Sequence, residues 1–180
     1  MPILYDVQAK GQENHFELYG VLVSFFRATD TGTILMGPGD IYTILASTEE
    51  TDGDYIALEA LVPPDGGPPP HVHHDQIETF FILEGEMEIT VGDQTYQAKV
   101  GDFVHVSKGT PHNFINRSRT TTKMVFTFVP AGDIKEFFRE SFTETKDRHA
   151  PLEPLTDAFI QRMLESASHH DIEILPPPES

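Results

Sequence analysis

Short runs of β-branched and aromatic residues, separated by turn residues, fill most of this chain and limit the folds open to it. Gly, Asp, Thr and Pro bound these runs, which is typical of strands in antiparallel sheets. Short strands at even spacing predict an all-β sandwich or barrel. The predicted strands are Leu18 to Ala28, Ile41 to Ser47, Tyr55 to Val62, Thr79 to Leu83, Met87 to Val91, Thr95 to Val100, Phe103 to Val106, His112 to Asn116 and Lys123 to Val129.

Turn residues between these runs predict how the strands connect. Glu84-Gly85 and Gly92-Asp93 are short turn signals, and each suits an antiparallel hairpin. The segment Val62 to Pro70 reads VPPDGGPPP. Because proline cannot donate to a sheet ladder, we expect this segment to form a loop. It is too short to separate two domains.

After Pro130 the apolar pattern changes to a helical period. Ile134, Phe137, Phe138 and Phe142 predict one helix, with Asp133 and Glu136 as a capping pair. A second short helix is expected after Pro154, and its apolar positions are Leu155, Phe159, Ile160, Met163 and Leu164. We therefore expect one domain over residues 1–180, with a barrel over about 16–130 and a helical tail over 131–180.

Composition excludes several classes of function. The 180 residues include 29 acidic and 12 basic side chains, a net charge of −17. Such a surface repels phosphate backbones and anionic lipids, so we expect neither nucleic acid nor membrane as a partner. The absence of cysteine excludes disulfides, thiolate metal sites and a cysteine nucleophile. The first residues, MPILYDVQAKGQ, do not resemble a signal peptide, and a cytoplasmic location is expected.

A cluster of histidines and one glutamate carries the strongest chemical signal. His71 and His73 are two residues apart, so on a strand they project from the same face. Glu78 lies at an odd offset from His73, and a turn around Asp75-Gln76 would fold it back on a neighbouring strand beside the histidines. Two imidazoles and one carboxylate form a facial ligand array for a divalent first-row metal, with positions left open.

A second block supplies a candidate fourth ligand. Residues 101–116 read as a strand, a tight glycine turn and another strand. His112 opens the second of these strands, with Phe114 and Asn116 on its face. The predicted metal ligands are therefore His71, His73, Glu78 and His112.

The two blocks resemble the paired motifs of the cupin superfamily. The first motif is matched by His71, His73, Glu78 and Gly85, and the second by Gly101, Gly109, His112 and Asn116. Two positions depart from the pattern: Ser107 stands where the family usually has proline, and Asp65 where it has glycine. Neither departure touches a ligand. The resemblance implies an all-β cupin (double-stranded β-helix or jelly-roll) barrel with a short C-terminal helical appendage.

Within the superfamily, the chain is most similar to the single-domain quercetin dioxygenase group. The similarity covers PPPHVHHDQIETFFILEGEMEITVGD, GDFVHVSKGTPHNFIN and the Phe-rich helix that follows. It implies a metal-dependent dioxygenase that acts on a small aromatic or enol substrate, and a homodimer. Glu78 would then also be catalytic, as the base that takes a hydroxyl proton from the substrate.

Other readings of the same residues stay open at this stage. The ligand set accepts Fe, Mn, Ni, Co, Cu or Zn, so a Zn- or Mn-dependent isomerase or lyase is equally compatible. A cupin that binds a small molecule without converting it is a third hypothesis. Phe80, Ile82 and Phe114 share faces with Glu78 and His112, and they either line an apolar substrate pocket or belong to the barrel core.

The remaining histidines are expected outside the cluster. His74 should point to the opposite face from its neighbour His73 and lie at the rim. Alternation does not settle the face of His105. Ordinary solvated side chains are expected for His15, His149, His169 and His170.

Overall fold

The computed structural model describes residues 24–28 and 31–176, which form a sandwich of two antiparallel sheets and two helices. The strands are β1 (Ile34–Met36), β2 (Ile41–Ala46), β3 (Ile56–Val62), β4 (His71–His73), β5 (Ile77–Glu84), β6 (Glu86–Val91), β7 (Gln94–Lys99), β8 (Phe103–Val106), β9 (His112–Ile115), β10 (Thr122–Val129), β11 (Thr143–Thr145) and β12 (Ile172–Ile174). One sheet has the order β11-β1-β2-β3-β10-β5-β8, and the other has the order β12-β4-β9-β6-β7.

Every strand predicted from Ile41 onwards is observed, with ends within two residues of the prediction. The predicted strand Leu18 to Ala28 lies mostly outside the described residues, and residues 24–28 have no regular secondary structure. The three-residue strands β1, β11 and β12 were not predicted, because three residues are too few for an alternating pattern to be recognised.

Only one of the two predicted hairpins forms. Gly92-Asp93 connects β6 to β7, with Val91 paired to Gln94. The hairpin at Glu84-Gly85 is wrong, because β5 and β6 belong to different sheets. Gly85, with φ 78°, carries the chain from one sheet to the other, and a Cβ there would lie 2.8 Å from Oγ1 of Thr122. This crossover places β6 beside β9 in the five-stranded sheet.

The core lies between the sheets and follows from strand alternation. On β3, Ile56, Leu58, Ala60 and Val62 are fully buried, and the residues between them are partly exposed. Burying one large aliphatic or aromatic side chain contributes about 1.5–3 kcal/mol. Large buried side chains from both sheets join the β3 residues in the core: Phe80, Ile82, Met124 and Phe128 from the seven-stranded sheet, and Met87 and Ile89 from the five-stranded sheet.

Both predicted helices are present, as α1 (Ile134–Ser141) and α2 (Asp157–His169). The capping pair predicted for α1 is wrong: Asp133 is the N-cap residue, but its side chain makes no capping hydrogen bond. The carboxylate of Asp133 instead contacts His170. Thr156 caps α2, and its hydroxyl oxygen accepts a hydrogen bond from the backbone N–H of Phe159.

Residues 131–176, here called the C-terminal strap, join the edges of the two sheets. β11 pairs with β1 at an edge of the seven-stranded sheet, and β12 pairs with β4 in the five-stranded sheet. The tail is therefore not purely helical, because two of its segments extend the barrel sheets. Within the described ranges, neither helix has the length and apolar character that a membrane crossing requires.

Candidate metal centre

Four buried side chains converge between the sheets, next to β12. His71 and His73 come from β4, Glu78 from β5 and His112 from β9. One nitrogen or oxygen atom of each lies within 4.8 Å of the corresponding atoms of the other three. Each residue is at most 7% exposed. The structure thus brings together the four residues predicted as ligands.

Strand register and one turn position the four residues. His71 and His112 are directly paired between the neighbouring strands β4 and β9. After His73, the chain turns at residues 74–76 and enters β5, which begins at Ile77. The predicted turn is therefore observed, but it leads to the facing sheet and not to the strand beside β4. Glu78 reaches the three histidines from across the barrel interior.

One carboxylate oxygen is the common point of the cluster. Oε2 of Glu78 lies 2.6 Å from Nε2 of His112, 3.6 Å from Nε2 of His73 and 4.0 Å from Nε2 of His71. All three histidines therefore direct the same ring nitrogen towards the same carboxylate. The cluster therefore offers three ring nitrogens and one carboxylate oxygen to a single ion.

Backbone carbonyls fix two of the imidazole rings. Nδ1 of His71 donates a hydrogen bond to the carbonyl of Pro69 over 2.9 Å, and Nδ1 of His112 donates to that of Thr110 over 2.8 Å. In both cases the acceptor lies two residues before the histidine. A histidine that donates through Nδ1 can present the lone pair of Nε2 to a metal, and such partners orient metal-binding histidines.

Burial sets the protonation of the two β4 histidines. Desolvation, with the nearby charge of His112 as a smaller cause, lowers the pKa of His71 to about 3. Desolvation and the neighbouring histidines lower the pKa of His73 to about 2. Both rings are therefore neutral at neutral pH, which is the protonation state that metal binding requires.

Glu78 and His112 are electrostatically coupled. Burial raises the pKa of Glu78 above its ordinary value, and the hydrogen bond with His112 opposes that rise. Desolvation is the largest single effect on His112 and lowers its pKa, but the hydrogen bond with Glu78 and the charge of Glu78 together raise it. This buried pair holds a proton that a cation could replace.

The donor set fits a divalent transition metal. Imidazole nitrogens suit Zn, Cu, Fe and Ni. A metal ion that takes five or six ligands would keep open coordination positions beside these three nitrogens and one carboxylate oxygen. The residues present, with two rings oriented by carbonyls, therefore match the metal that the sequence predicts.

Comparison with known proteins identifies the fold family. The family described as "Cupin domain" matches residues 58–128, which include all four clustered residues. The chain therefore contains a segment that is similar to the cupin domain, and its fold is that of a cupin. The polyketide cyclase RemF from Streptomyces resistomycificus shares this cupin fold, with a TM-score of 0.51, 23% identity and coverage of 59% of this chain and 80% of that one. KdgF from Halomonas sp. has a TM-score of 0.55 at 19% identity, covering 63% of this chain and 98% of that one.

A curated relative connects this cupin to the group indicated by its motifs. It is 30% identical, over 161 residues, to quercetin 2,3-dioxygenase of Bacillus subtilis (strain 168). The match covers 89% of this chain but 47% of the relative. The chain therefore spans about half the length of that protein, and over this span it resembles the quercetin dioxygenase group.

The departure from the first cupin motif at Asp65 is structurally mild. Asp65 adopts φ 63°, in the left-handed region that glycine favours and that aspartate tolerates better than most residues. Its N–H donates to the carbonyl of Asn116 over 2.8 Å, and the N–H of Asn116 donates to the carbonyl of Gly66 over 3.0 Å. The proline-rich segment is therefore a loop, as predicted, and it is tied to the second motif.

The residues proposed as a substrate pocket pack as core. Phe80 and Ile82 are fully buried and Phe114 is 3% exposed. The rings of Phe80 and Phe114 lie 5.7 Å apart, and the ring of Phe80 lies 6.4 Å from that of His112. Of the three, Phe80 borders the histidine cluster, and a role for these residues in binding substrate stays a prediction.

Aromatic residues beside the cluster were missed by sequence reasoning. The ring of Phe128 lies 4.9 Å from that of His73, and Phe138 of α1 lies 6.3 Å from Phe128. Tyr42 packs against Phe138 and donates a hydrogen bond to Asp40, which is also buried. No motif marks these positions, because they become neighbours only through the sheet topology.

The other histidines lie outside the cluster. His74 is exposed and contacts Glu173 over 3.1 Å, as expected for a rim residue. His105, His149 and His169 are exposed, and His15 lies outside the described residues. His170 was expected to be solvated, and this is wrong. Its ring is buried between carboxylates of Asp133 and Glu140, an arrangement that the sequence could not indicate.

Proposed function

We propose that this cupin binds one divalent first-row transition metal through His71, His73, Glu78 and His112, and that it is a dioxygenase for a small aromatic or enol substrate. One observation carries the metal proposal: three Nε2 atoms meet one buried carboxylate oxygen between the sheets. Burying an unpaired carboxylate costs free energy, and a bound cation beside Glu78 would offset that cost.

Similarity of sequence supports the dioxygenase reaction. The quercetin 2,3-dioxygenase of B. subtilis aligns with 89% of this chain, including both motif blocks. The fold alone would not choose a reaction, because one fold hosts many chemistries. The substrate class is therefore proposed by analogy with that relative, and metal binding by the geometry of the cluster.

Besides holding the metal, the chain's own residues would perform two tasks in this reaction. A bound metal would supply a Lewis acid with free coordination positions. Glu78, whose pKa burial raises, would take the hydroxyl proton of the substrate. Phe80 and Phe128 would keep water away from that proton transfer, since both rings border the cluster and are buried.

Oxygen consumption tests the proposal. The protein is stripped of metal, loaded separately with Fe, Mn, Ni, Co or Cu, and mixed with quercetin and related flavonols in an oxygen-electrode cell. We expect uptake with at least one metal, and loss of uptake with retained metal in Glu78→Gln. Glu84→Gln is the matched control, because Glu84 is exposed at the far end of the same strand.

Companion assays without oxygen, which include the Zn-loaded protein and sugar or keto-acid substrates, have outcomes that remove the dioxygenase. Conversion of a sugar or a keto acid without oxygen would identify an isomerase or lyase that uses Zn or Mn. Tight binding of a small molecule without any conversion would identify a binding protein. Full activity of Glu78→Gln would exclude Glu78 as the base while leaving the metal site in place.

The homodimer stays a prediction from the family resemblance. Light scattering after gel filtration measures the mass directly. A homodimer predicts a mass of about twice the 20.2 kDa of one chain, and a mass of one chain would contradict it.

A further inference from the structure

The C-terminal strap covers the side of the barrel where the histidine cluster lies. β12 pairs with β4 so that Ile172 is opposite His73 and Ile174 opposite His71. From the other side, Phe138 of α1 packs against Phe128, which packs against His73. Both elements of the strap therefore approach His73: β12 pairs with its strand directly, and α1 reaches its ring through Phe128.

A small molecule cannot reach the cluster unless something moves. His71, His73, Glu78 and His112 are each at most 7% exposed. The central strands are held by long ladders, such as the seven residue pairs between β10 and β3, whereas β12 is held to β4 by three pairs. Short peripheral elements open locally at lower free energy than the core of a sheet. Among the described elements next to the cluster, β12 of the strap is therefore expected to open more readily than the central strands.

One buried histidine ties the two parts of the strap together. His170 lies between the end of α2 and the start of β12. Its Nδ1 is 2.7 Å from Oδ2 of Asp133, directly before α1, and its Nε2 is 3.0 Å from Oε2 of Glu140 within α1. Carboxylates only accept hydrogen bonds, so both ring nitrogens must donate, and only the imidazolium ion does this.

We propose that the C-terminal strap is a gate over the metal cluster and that the imidazolium of His170 is its latch, which holds the gate closed while His170 is protonated. The gating role rests on the proposed function, in which a substrate must enter. The contacts of His170 do not depend on it.

The direction of the pH effect follows from the partners of His170. Desolvation alone lowers its pKa, but the hydrogen bonds to Asp133 and Glu140 raise it above the ordinary value. A histidine whose pKa is raised on folding contributes stability below its ordinary pKa, and this contribution is lost as pH rises through the raised value. The latch therefore weakens in alkaline solution.

The other polar and charged groups around His170 do not take over its bridging role. Ser166 of α2 donates to Glu140 over 2.8 Å, and His169 beside it is exposed. Asp171 follows His170 as an exposed residue, while Glu173 of β12 contacts His74. None of these described groups places a second positive charge between the carboxylates of Asp133 and Glu140.

A separate contact keeps the helices together when the latch opens. The guanidinium of Arg162 in α2 donates twice to the carbonyl of Ser141, over 3.0 and 3.1 Å. Arginine does not titrate in this pH range. We therefore expect loss of the latch to loosen the strap without unfolding it.

Hydrogen–deuterium exchange measured by mass spectrometry tests the latch. Peptides that span β12 and β4 are followed at pH 6 and pH 8.5 in the wild type and in His170→Gln, which donates but carries no charge. At pH 6 we expect roughly three- to tenfold faster exchange in the variant, since the lost ion pairs are partly exposed. At pH 8.5 the difference should shrink. Two controls should behave like the wild type: His169→Gln, and Glu136→Gln on the exposed side of α1.

The outcomes separate the gate from the proposed function. Equal exchange in wild type and His170→Gln at pH 6 would overturn the latch. Faster exchange at β12 with unchanged exchange at β4 would overturn the gate, because the strand that carries His71 and His73 would stay covered. The measurement needs no metal or substrate, so a protein that binds no metal would refute the proposed function and leave the exchange result standing.

Discussion

Nε2 of His112 lies 2.6 Å from Oε2 of Glu78, although the two residues belong to opposite sheets of the barrel. This is a hydrogen bond between two buried groups, and it carries one proton. A metal ion held by both atoms would replace that hydrogen bond. The contact therefore predicts a measurable link between metal binding and protonation.

Metal binding should release about one proton per chain at pH 7, because ligands bind metal in their deprotonated forms. Calorimetric titration with Co²⁺ in PIPES and in MOPS measures this number, since these buffers bind the metal weakly and differ in ionisation enthalpy. The Glu78→Gln variant should release fewer protons when it binds metal, because a carboxylate no longer raises the pKa of His112. Glu84→Gln should match the wild type, and identical heats in both buffers would contradict the prediction.

Loss of the Asn116 side chain should destabilise the fold. Its amide nitrogen donates to the carbonyls of Val62 and Thr120, and its oxygen accepts from the N–H of Ser118. Asn116→Ala removes a donor from the carbonyl of buried Val62 and the acceptor of the Ser118 N–H, and we expect a loss of about 1–3 kcal/mol in the free energy of unfolding. Urea denaturation measures it. Asn113→Ala, at a partly exposed position of β9, is the control. A change below about 0.5 kcal/mol in Asn116→Ala would contradict the role.

Asp40 should make stability depend on pH. Burial raises its pKa from 3.8 to about 7, and the hydrogen bond from Tyr42 opposes this only in part. The unfolded chain therefore loses its proton near pH 4 while the folded chain keeps it, so this residue's contribution to stability falls from about pH 4 to about pH 7. Asn at this position still accepts from Tyr42 but does not ionise.

The comparison of Asp40→Asn with wild type isolates this effect. At pH 8 we expect the variant to be more stable by about 2–4 kcal/mol, and at pH 4 the two should converge. Urea denaturation across this range measures the difference. Asp93→Asn, in the exposed β6–β7 turn, controls for loss of one negative charge. A difference that stays constant with pH would show that Asp40 does not keep a raised pKa.

Alternation within the chain was enough to predict the long strands, and the resemblance to the paired cupin motifs completed the prediction of the four clustered residues. Alternation on β3 and β10 extends over seven and eight residues, so the periodicity is clear. Each of the paired motifs contains its own turn, and the two motifs together predicted that His112 lies near His71. The convergence did not require knowledge of which sheet each strand joins.

The parts that sequence reasoning missed depend on long-range contacts. β11 reads Thr-Glu-Thr and carries no apolar signal, so only its pairing with β1 makes it a strand. Asp133 looked like a helix cap, but His170, 37 residues further along, competes for its carboxylate. Glu84-Gly85 has the composition of a hairpin turn, and only the two-sheet architecture directs it elsewhere.

Metal content tests the central claim most directly. The wild type and the double variant His71→Ala/His112→Ala are expressed in medium that contains Fe, Mn, Ni, Co, Cu and Zn, and elemental mass spectrometry gives the metal bound per chain. We predict close to one transition metal ion per wild-type chain and almost none in the variant. A wild type that holds no metal even after reconstitution, or a variant that retains it fully, would contradict the account.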